Sequence, residues 1–352
     1  MISRHRNASE CVGAPRERGA ALIVALLIVA MVVMLATALS SDFLLMFRRV
    51  ENQLYSEQAY AYMRGAEALS RAALLVDLQK DDKKRCDNLA EDWAQPQQYP
   101  TDYGWIGGQL EDLQGRFNLN WIKAEATPQP GVYSSSQNQF IRLLLALKLD
   151  EPLSLDQAQA LTDAVTDWID GDSDVSGLSG AESQFYESAD PPGRPANRPL
   201  VGASELMFVR GMTPAIYRAL APLVTVWPAA VGGSVQGNAI NINTAPVEVL
   251  RSLGGPKDMQ PLSESEVEPL LEARKPPKFI ESAEIAVGLL TTGVQQARQI
   301  DPTTIRVDSD YFMLNIVTEF GGHRYSMRSI LHRHSEKKPW TADVESRSFG
   351  DW

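Results

Sequence analysis

The apolar and polar positions of this 352-residue chain fall into two regimes. From Ala20 to Ser41 no residue carries a charge, and the surrounding stretch RGAALIVALLIVAMVVMLATALS (18–40) is apolar on every side. A helix of 22 residues rises about 33 Å, enough for a hydrocarbon core of about 30 Å. A secretory h-region is shorter, about 7–15 residues, and no A-x-A-like site with a polar start follows this run. The pattern predicts an anchor that stays on the protein. Past Ser41 the run gives way to an amphipathic one. Phe43, Phe47, Val50, Leu54, Ala61, Ala68, Ala72 and Leu75 recur at steps of three, four or seven, which predicts one helical stripe. No proline falls between Pro15 and Pro96, so a single helix from about Ala20 to about Leu78 is expected, roughly 90 Å long.

The remaining chain changes period several times. GWIGGQLEDLQGRFNLN (104–120) reads as short strands in a hairpin, and YFMLNIVTEFGGHRYSMRSILHRH (311–334) as a hairpin turning at Gly321-Gly322. Between them, helical spacing runs over 140–149, 155–169, 204–211 and 213–223, with start signals at Ser154, Ser204 and Thr213-Pro214. Two Asn-rich segments, RFNLNWI (116–122) and NAININTAP (238–246), bracket that block and are expected to pair side by side. Thr244 is expected to cap the helix PVEVLRSL, and shorter helices should follow at about 263–273 and 280–290. GGSVQGN (232–238) reads as a linker and 335–352 as a polar, flexible tail. Strand-forming sequence at both ends of a helical block gives an α+β class with an inserted α-domain.

Composition narrows the function. At 44% apolar and 22% charged residues, the chain is an ordinary globular one. A net charge of −11 argues against nucleic acid, whose phosphates are held mainly by Lys and Arg. Residues 1–19 are net positive and Asp42 follows the apolar run, which predicts a cytoplasmic N-terminus with the bulk outside. Of the two cysteines, Cys11 precedes the run, and Cys86 sits in the charged stretch DDKKRCDN, where a solvated thiol is expected. His5, His323, His332 and His334 lie near no nucleophile motif, and no Walker loop, G-x-S-x-G or H-E-x-x-H occurs.

The chemical constellation is DWIDGDSDVSGLSGAESQFY (167–186). Asp170, Asp172 and Asp174 follow a helix at alternate positions, and three carboxylates so close repel unless a cation or basic group compensates. Calcium takes about 6–8 oxygens from such flexible loops. The loop is not an EF-hand: its sixth position is Val175 rather than Gly, and its twelfth is Ala181, with Glu182 one residue late. From the residues alone, a solvated acidic loop and a metal loop stand as equals.

Two sets of residues carry a family resemblance. RG/AALIVALLIVA resembles the type III leader of pilins and pseudopilins, with cleavage between Gly19 and Ala20. Pilins usually have Glu at the fifth mature position, where it neutralises a neighbour's terminal amine; here that position is Val24. SELMFVRGMTPAIYRALAPLVTV and NINTAPVEVL resemble signature segments of one family that lacks this Glu, the K-type minor pseudopilins of the type II secretion system. The resemblance implies a pilin-like long N-terminal helix plus antiparallel sheet, with a large inserted α-helical (SAM-like) domain. It divides the chain into a cleaved leader (1–19), a transmembrane part (20–41), an amphipathic helix with the first strands (42–124), the inserted domain (125–232), a second helical segment with the C-terminal strands (233–334) and the tail (335–352).

The resemblance further implies an N-methylated Ala20 and a single-pass inner-membrane protein with a periplasmic domain. It would be a non-enzymatic subunit at the pseudopilus tip, acting with H, I and J type minor pseudopilins after processing by prepilin peptidase. It also implies structural calcium held by Asp170, Asp172, Asp174 and Glu182, with Asp167 and Asn197 as further candidates. NTAPVEVL and GMTPAIYRAL also resemble DNA-gripping helix-hairpin-helix modules, but their acidic surroundings favour packing. The rival readings are a single-pass, calcium-dependent periplasmic module that recruits exoproteins, and a membrane-tethered hydrolase using a metal in the acidic loop.

Overall fold

The computed structural model describes residues 18–80, 85–123, 131–229, 239–291, 300–336 and 338–350. Residues 1–17 of the expected leader, with Cys11, and the segment 232–238 read as a linker lie outside the described residues. Two compact units divide at Gln58/Ala59, and helix α1 (Arg18–Lys80) contributes to both. In the first unit the helix is apolar and bare. Leu22, Leu27, Met34 and Phe43 are all more than half exposed, and among the described residues this is the one helix long and apolar enough to cross a membrane.

In the second unit, residues 59–80 of α1 lie on a five-stranded antiparallel sheet of order β1 (Gln97–Thr101), β2 (Gly104–Asp112), β7 (Tyr311–Phe320), β8 (His323–His334), β9 (Thr341–Phe349). The β7–β8 hairpin turns at Gly321 and Gly322, with φ of 58° and 79°, the left-handed conformation that glycine adopts without penalty. Met63, Leu74, Trp93, Ile106, Leu110, Phe312, Leu314, Ile316, Met327 and Leu331 form the core beneath the helix.

The expected helical stripe is one face out of register. Ala59, Met63, Glu67, Leu74 and Leu78 are buried, whereas Ala61, Ala68 and Ala72 face outward. The buried face carries a glutamate, which hydropathy alone assigns to solvent. Glu67 accepts from Ser329 Oγ at 2.8 Å and from Arg347 Nε at 2.6 Å. That pair also corrects the expected flexible tail. Arg347 lies on β9, which Glu67 ties to the helix, while Ala342 of the same strand is buried. Polar composition marked the segment as disordered; cross-strand pairing and a buried ion pair order it.

Three further expectations are corrected. The stretch 104–120 is not a hairpin within itself: β2 pairs β1 before it and β7 after it, and β3 (Phe117–Asn118) pairs β4 (Val224–Thr225) in parallel. The Asn-rich segments do not pair with each other, since β5 (Ile240–Asn241) joins β6 (Ile305–Arg306). Their asparagines are crosslinks to distant backbone instead. Asn120 donates to the carbonyls of Leu200 and Val226, and Asn243 exchanges two 2.9 Å bonds with the backbone of Ile280. Thr244 does not cap a helix. α6 (Val247–Arg251) begins at Pro246 without a side-chain cap, and the Thr244 hydroxyl donates to Asp112 at 2.6 Å.

The insertion between β2 and β7 is helical. It holds α2 (Ser135–Leu145), α3 (Leu155–Ile169), α4 (Ser183–Glu187), α5 (Pro214–Leu220), α6, α7 (Glu264–Ala273) and α8 (Ala283–Thr291). α2 starts before the expected 140–149, because a Ser134/Gln137 capping box extends it through the buried polar residues 136–139. The stretch 204–211 forms a 3₁₀ turn, Ala203–Phe208, rather than an α-helix. Phe140, Val165, Leu220, Val249, Leu270 and Leu290 share one core, so the inserted domain expected at 125–232 and the helices of the segment expected at 233–334 bury their apolar faces together.

Candidate metal centre in the acidic loop

α3 positions the acidic loop. Ser154 and Gln157 form a capping box that fixes its start, and Ala158, Leu161, Val165 and Trp168 bury one side of it. The helix ends at Ile169, and Asp170 turns into an extended conformation as its C-cap. Asp163 and Asp167, one turn apart on the last part of the helix, hold the returning chain. Asp163 Oδ2 accepts from the amides of Leu178 and Ser179, 3.2 Å each, and Asp167 Oδ1 accepts from Ser176 N at 2.8 Å. Glycine is required where the chain passes closest. A Cβ on Gly180 would overlap Asp167 Oδ2 and the carbonyl of Ser176, and Gly177, at φ +59°, would strike Asp163.

These turns gather the carboxylates. One oxygen each of Asp170, Asp172 and Glu182 lies within 4.8 Å of the other two. Asp167 Oδ2, Asp170 Oδ1, both oxygens of Glu182 and Asn197 Oδ1 are buried with no hydrogen-bond donor. Among the described residues no Lys or Arg pairs with any of these carboxylates. Orphaned buried acceptors are costly, and a cation is what would satisfy several at once. Burial, and then the charges of Asp172, Asp167 and Glu182, raise the Asp170 carboxyl to about 7. Burial chiefly, with neighbouring carboxylates, pushes Asp167 and Glu182 up as well.

Of the expected ligands, the structure brings together Asp170, Asp172 and Glu182, with Asp167 beside them. Asp174 is exposed, as Asp172 is, and lies outside that group, its amide donating to Asp172 Oδ1 at 2.9 Å. Asn197 closes the far side: in the left-handed region (φ 45°), it donates from Nδ2 to the Asp172 carbonyl at 2.9 Å. Sequence reading passed over Asp163, which props the loop from the preceding turn. Its spacing of four from Asp167 on the same helix face was the available signal. The residues tied to processing, Gly19 and Ala20, lie exposed in the first turn of α1, and Val24 is 57% exposed one turn on.

A second polar centre was not legible beforehand. At the junction of insertion and sheet, Arg333 donates to both oxygens of Asp87 at 2.6 Å, to Asp77 at 3.1 Å and to the Ser309 carbonyl. Asp112, buried beside them, accepts from Asn241, Thr244 and Ser309. Cys86 lies in this junction and is buried, 3.3 Å from the Ile280 carbonyl, so it is not the solvated residue its charged neighbours suggested. The residues on either side of it, Arg85 and Asp87, pair with Asp310 and Arg333.

Comparison with known proteins agrees with this architecture. Residues 115–229, which span much of the insertion and the whole acidic loop, match the family described as type II secretion system (T2SS), protein K. The type II secretion system protein K of Pectobacterium carotovorum is 31% identical over 96% of this chain and 98% of its own length. That of Pseudomonas aeruginosa is 31% identical over 92% of this chain and 90% of its own. A chain in the crystal structure of the GspK-GspI-GspJ complex from enterotoxigenic Escherichia coli superposes with a TM-score of 0.69 at 27% identity, covering 86% of this chain and all of that one. With 31% identity to such relatives over more than nine-tenths of its length and the pilin-like fold in place, the chain belongs to the type II secretion system protein K family, the K-type minor pseudopilins.

Proposed function

We propose that this protein caps and helps initiate the type II secretion pseudopilus, supporting export of folded proteins across the outer membrane. The observation that carries the reading is the bare first part of α1, where every large apolar side chain from Leu22 to Phe47 is more than half exposed. Such a surface needs lipid or the helices of sister subunits to cover it. The solved relative assembles with GspI and GspJ, and the corresponding minor pseudopilins, with an H-type subunit, are the partners proposed here. Prepilin peptidase would cut between Gly19 and Ala20 and leave an N-methylated Ala20. The anchor would sit in the inner membrane with its N-terminus cytoplasmic and the α+β domain in the periplasm. Val24 supplies no carboxylate to a neighbour's amine, which suits a subunit with none above it.

The work is structural rather than catalytic. Calcium is the proposed ion of the acidic loop, held by Asp170, Asp172 and Glu182, with Asp167, Asp174 and Asn197 completing an oxygen-only donor set. Its role would be to pin the long loop 170–200 to α3. Cysteines placed at Val24 or Leu27 should crosslink to other pseudopilin helices in membranes. Mass spectrometry of the mature chain should find Ala20 first, and Gly19→Val should leave the precursor uncut. A mature chain beginning beyond Ser41 would refute the assembly reading.

A further inference from the structure

We propose that His332, His334 and Glu345 form a second metal site, selective for a first-row transition ion such as zinc, that fastens the C-terminal strand to the sheet. One nitrogen of each histidine and one oxygen of Glu345 lie within 4.8 Å of one another. The backbone that carries them is fixed. β8 is paired on both sides, by β7 and β9, and residues two apart on a strand project from the same face, which brings the two imidazoles together. Their ring centroids are 3.9 Å apart. Tyr311, opposite His332 on β7, stacks on it at 4.1 Å and 14°, which holds that ring's plane.

The acidic half comes from β9. Asp343 lies opposite His332, and a register shift between Ile330 and Leu331 leaves Glu345 without a partner residue on β8. A bulge of this kind re-aims a side chain, and the Glu345 carboxylate reaches His332 Nδ1 at 3.2 Å. Asp343 Oδ2 lies 3.2 Å from His334 Nε2 and can orient that ring or serve as a fourth donor. Two neutral imidazoles with one or two carboxylates are a zinc-type donor set, whereas the all-oxygen acidic loop suits a hard cation. The ligands bridge two strands, so the ion would clip β9, an edge strand, to its neighbour.

The test uses the full chain in detergent micelles, stripped of metal, saturated with calcium and then titrated with zinc chloride. The wild type should retain one zinc on dialysis, and hydrogen exchange of the β9 amides should slow when zinc is added. His334→Gln, at a half-exposed ring, should keep its melting temperature in metal-free buffer and weaken zinc binding by roughly tenfold or more. The Asp170→Asn/Asp172→Asn variant should bind zinc as the wild type does. No zinc retained by the wild type, equal affinity in His334→Gln, or loss of zinc only in the loop variant would each overturn the proposal.

Discussion

The junction and the acidic loop both bury carboxylates, and they neutralise them in opposite ways. At the junction the compensating groups are built into the chain, neutral donors for Asp112 and guanidiniums for the rest. Arg333 serves Asp77 and Asp87, while Arg85 and Arg306 serve Asp310. Burial alone would raise the Asp310 carboxyl, but those two guanidiniums hold it at about 2. In the loop, among the described residues, the one nearby guanidinium, that of Arg210, donates to the Gly180 carbonyl and not to the clustered carboxylates. Burial and mutual repulsion instead lift Asp170 to about 7, and buried oxygens of Asp167, Asp170 and Glu182 go without donors. An arginine makes the junction independent of the medium, whereas the loop, on the reading proposed above, would draw its compensating charge from it.

The sharpest way to break this contrast is to remove the built-in charge. Arg333→Met takes away the charge that answers the buried Asp87, which should cost about 3–5 kcal/mol. Urea titration should show that loss at any calcium concentration, and a loss below about 1 kcal/mol would mean that the junction does not rely on its arginine. Removing the borrowed charge comes next. At calcium a hundredfold above Kd, binding contributes about 2.7 kcal/mol, so EDTA should lower the melting temperature by roughly 5–10 °C. Asp170→Asn/Asp172→Asn should abolish that difference, and a wild type that melts identically with and without EDTA would remove calcium from the account.

Acidity tests the same site from the other side. The folded Asp170 carboxyl titrates above its unfolded value, so in metal-free protein its stabilising contribution is complete below about pH 4 and is lost as pH rises through about 7. Calcium held by Asp170 should compete with that proton, and its affinity should fall about tenfold per pH unit below 7. A calorimetric Kd flat between pH 7 and about 5 would show that Asp170 is not a ligand. Two smaller changes separate the frame from the ion. Gly180→Ala should cost about 1–3 kcal/mol by crowding Asp167, and it should also weaken calcium binding. Ser154→Ala removes only the cap of α3, for about 1 kcal/mol, and should leave the response to EDTA intact.

Features set by neighbours along the chain were legible. The Ser154 cap predicted α3 to the residue, and Gly321-Gly322 predicted the long hairpin, because both signals act within a turn. The D-x-D-x-D run located the acidic loop for the same reason. Asp163 was passed over because a carboxylate inside a helix looks like any solvated one until the loop folds back onto it. The Asn-rich segments misled because asparagines that crosslink distant carbonyls share their spacing with strand residues. The face of α1 was misjudged because Glu67 is buried only by virtue of Arg347, 280 residues away.

The amino-acid sequence by itself determined the apolar segment, the long helix, the principal hairpin and the acidic run, since hydropathy, capping and turn chemistry are nearest-neighbour effects. Only the tertiary structure decided which carboxylates meet an arginine and which are buried without one. Asp87 and Arg333 stand 246 positions apart and are brought into contact by the sheet, not by anything near them in the chain. Whether a charge is buried, and what answers it, depends on surfaces that exist only once distant segments have closed over it.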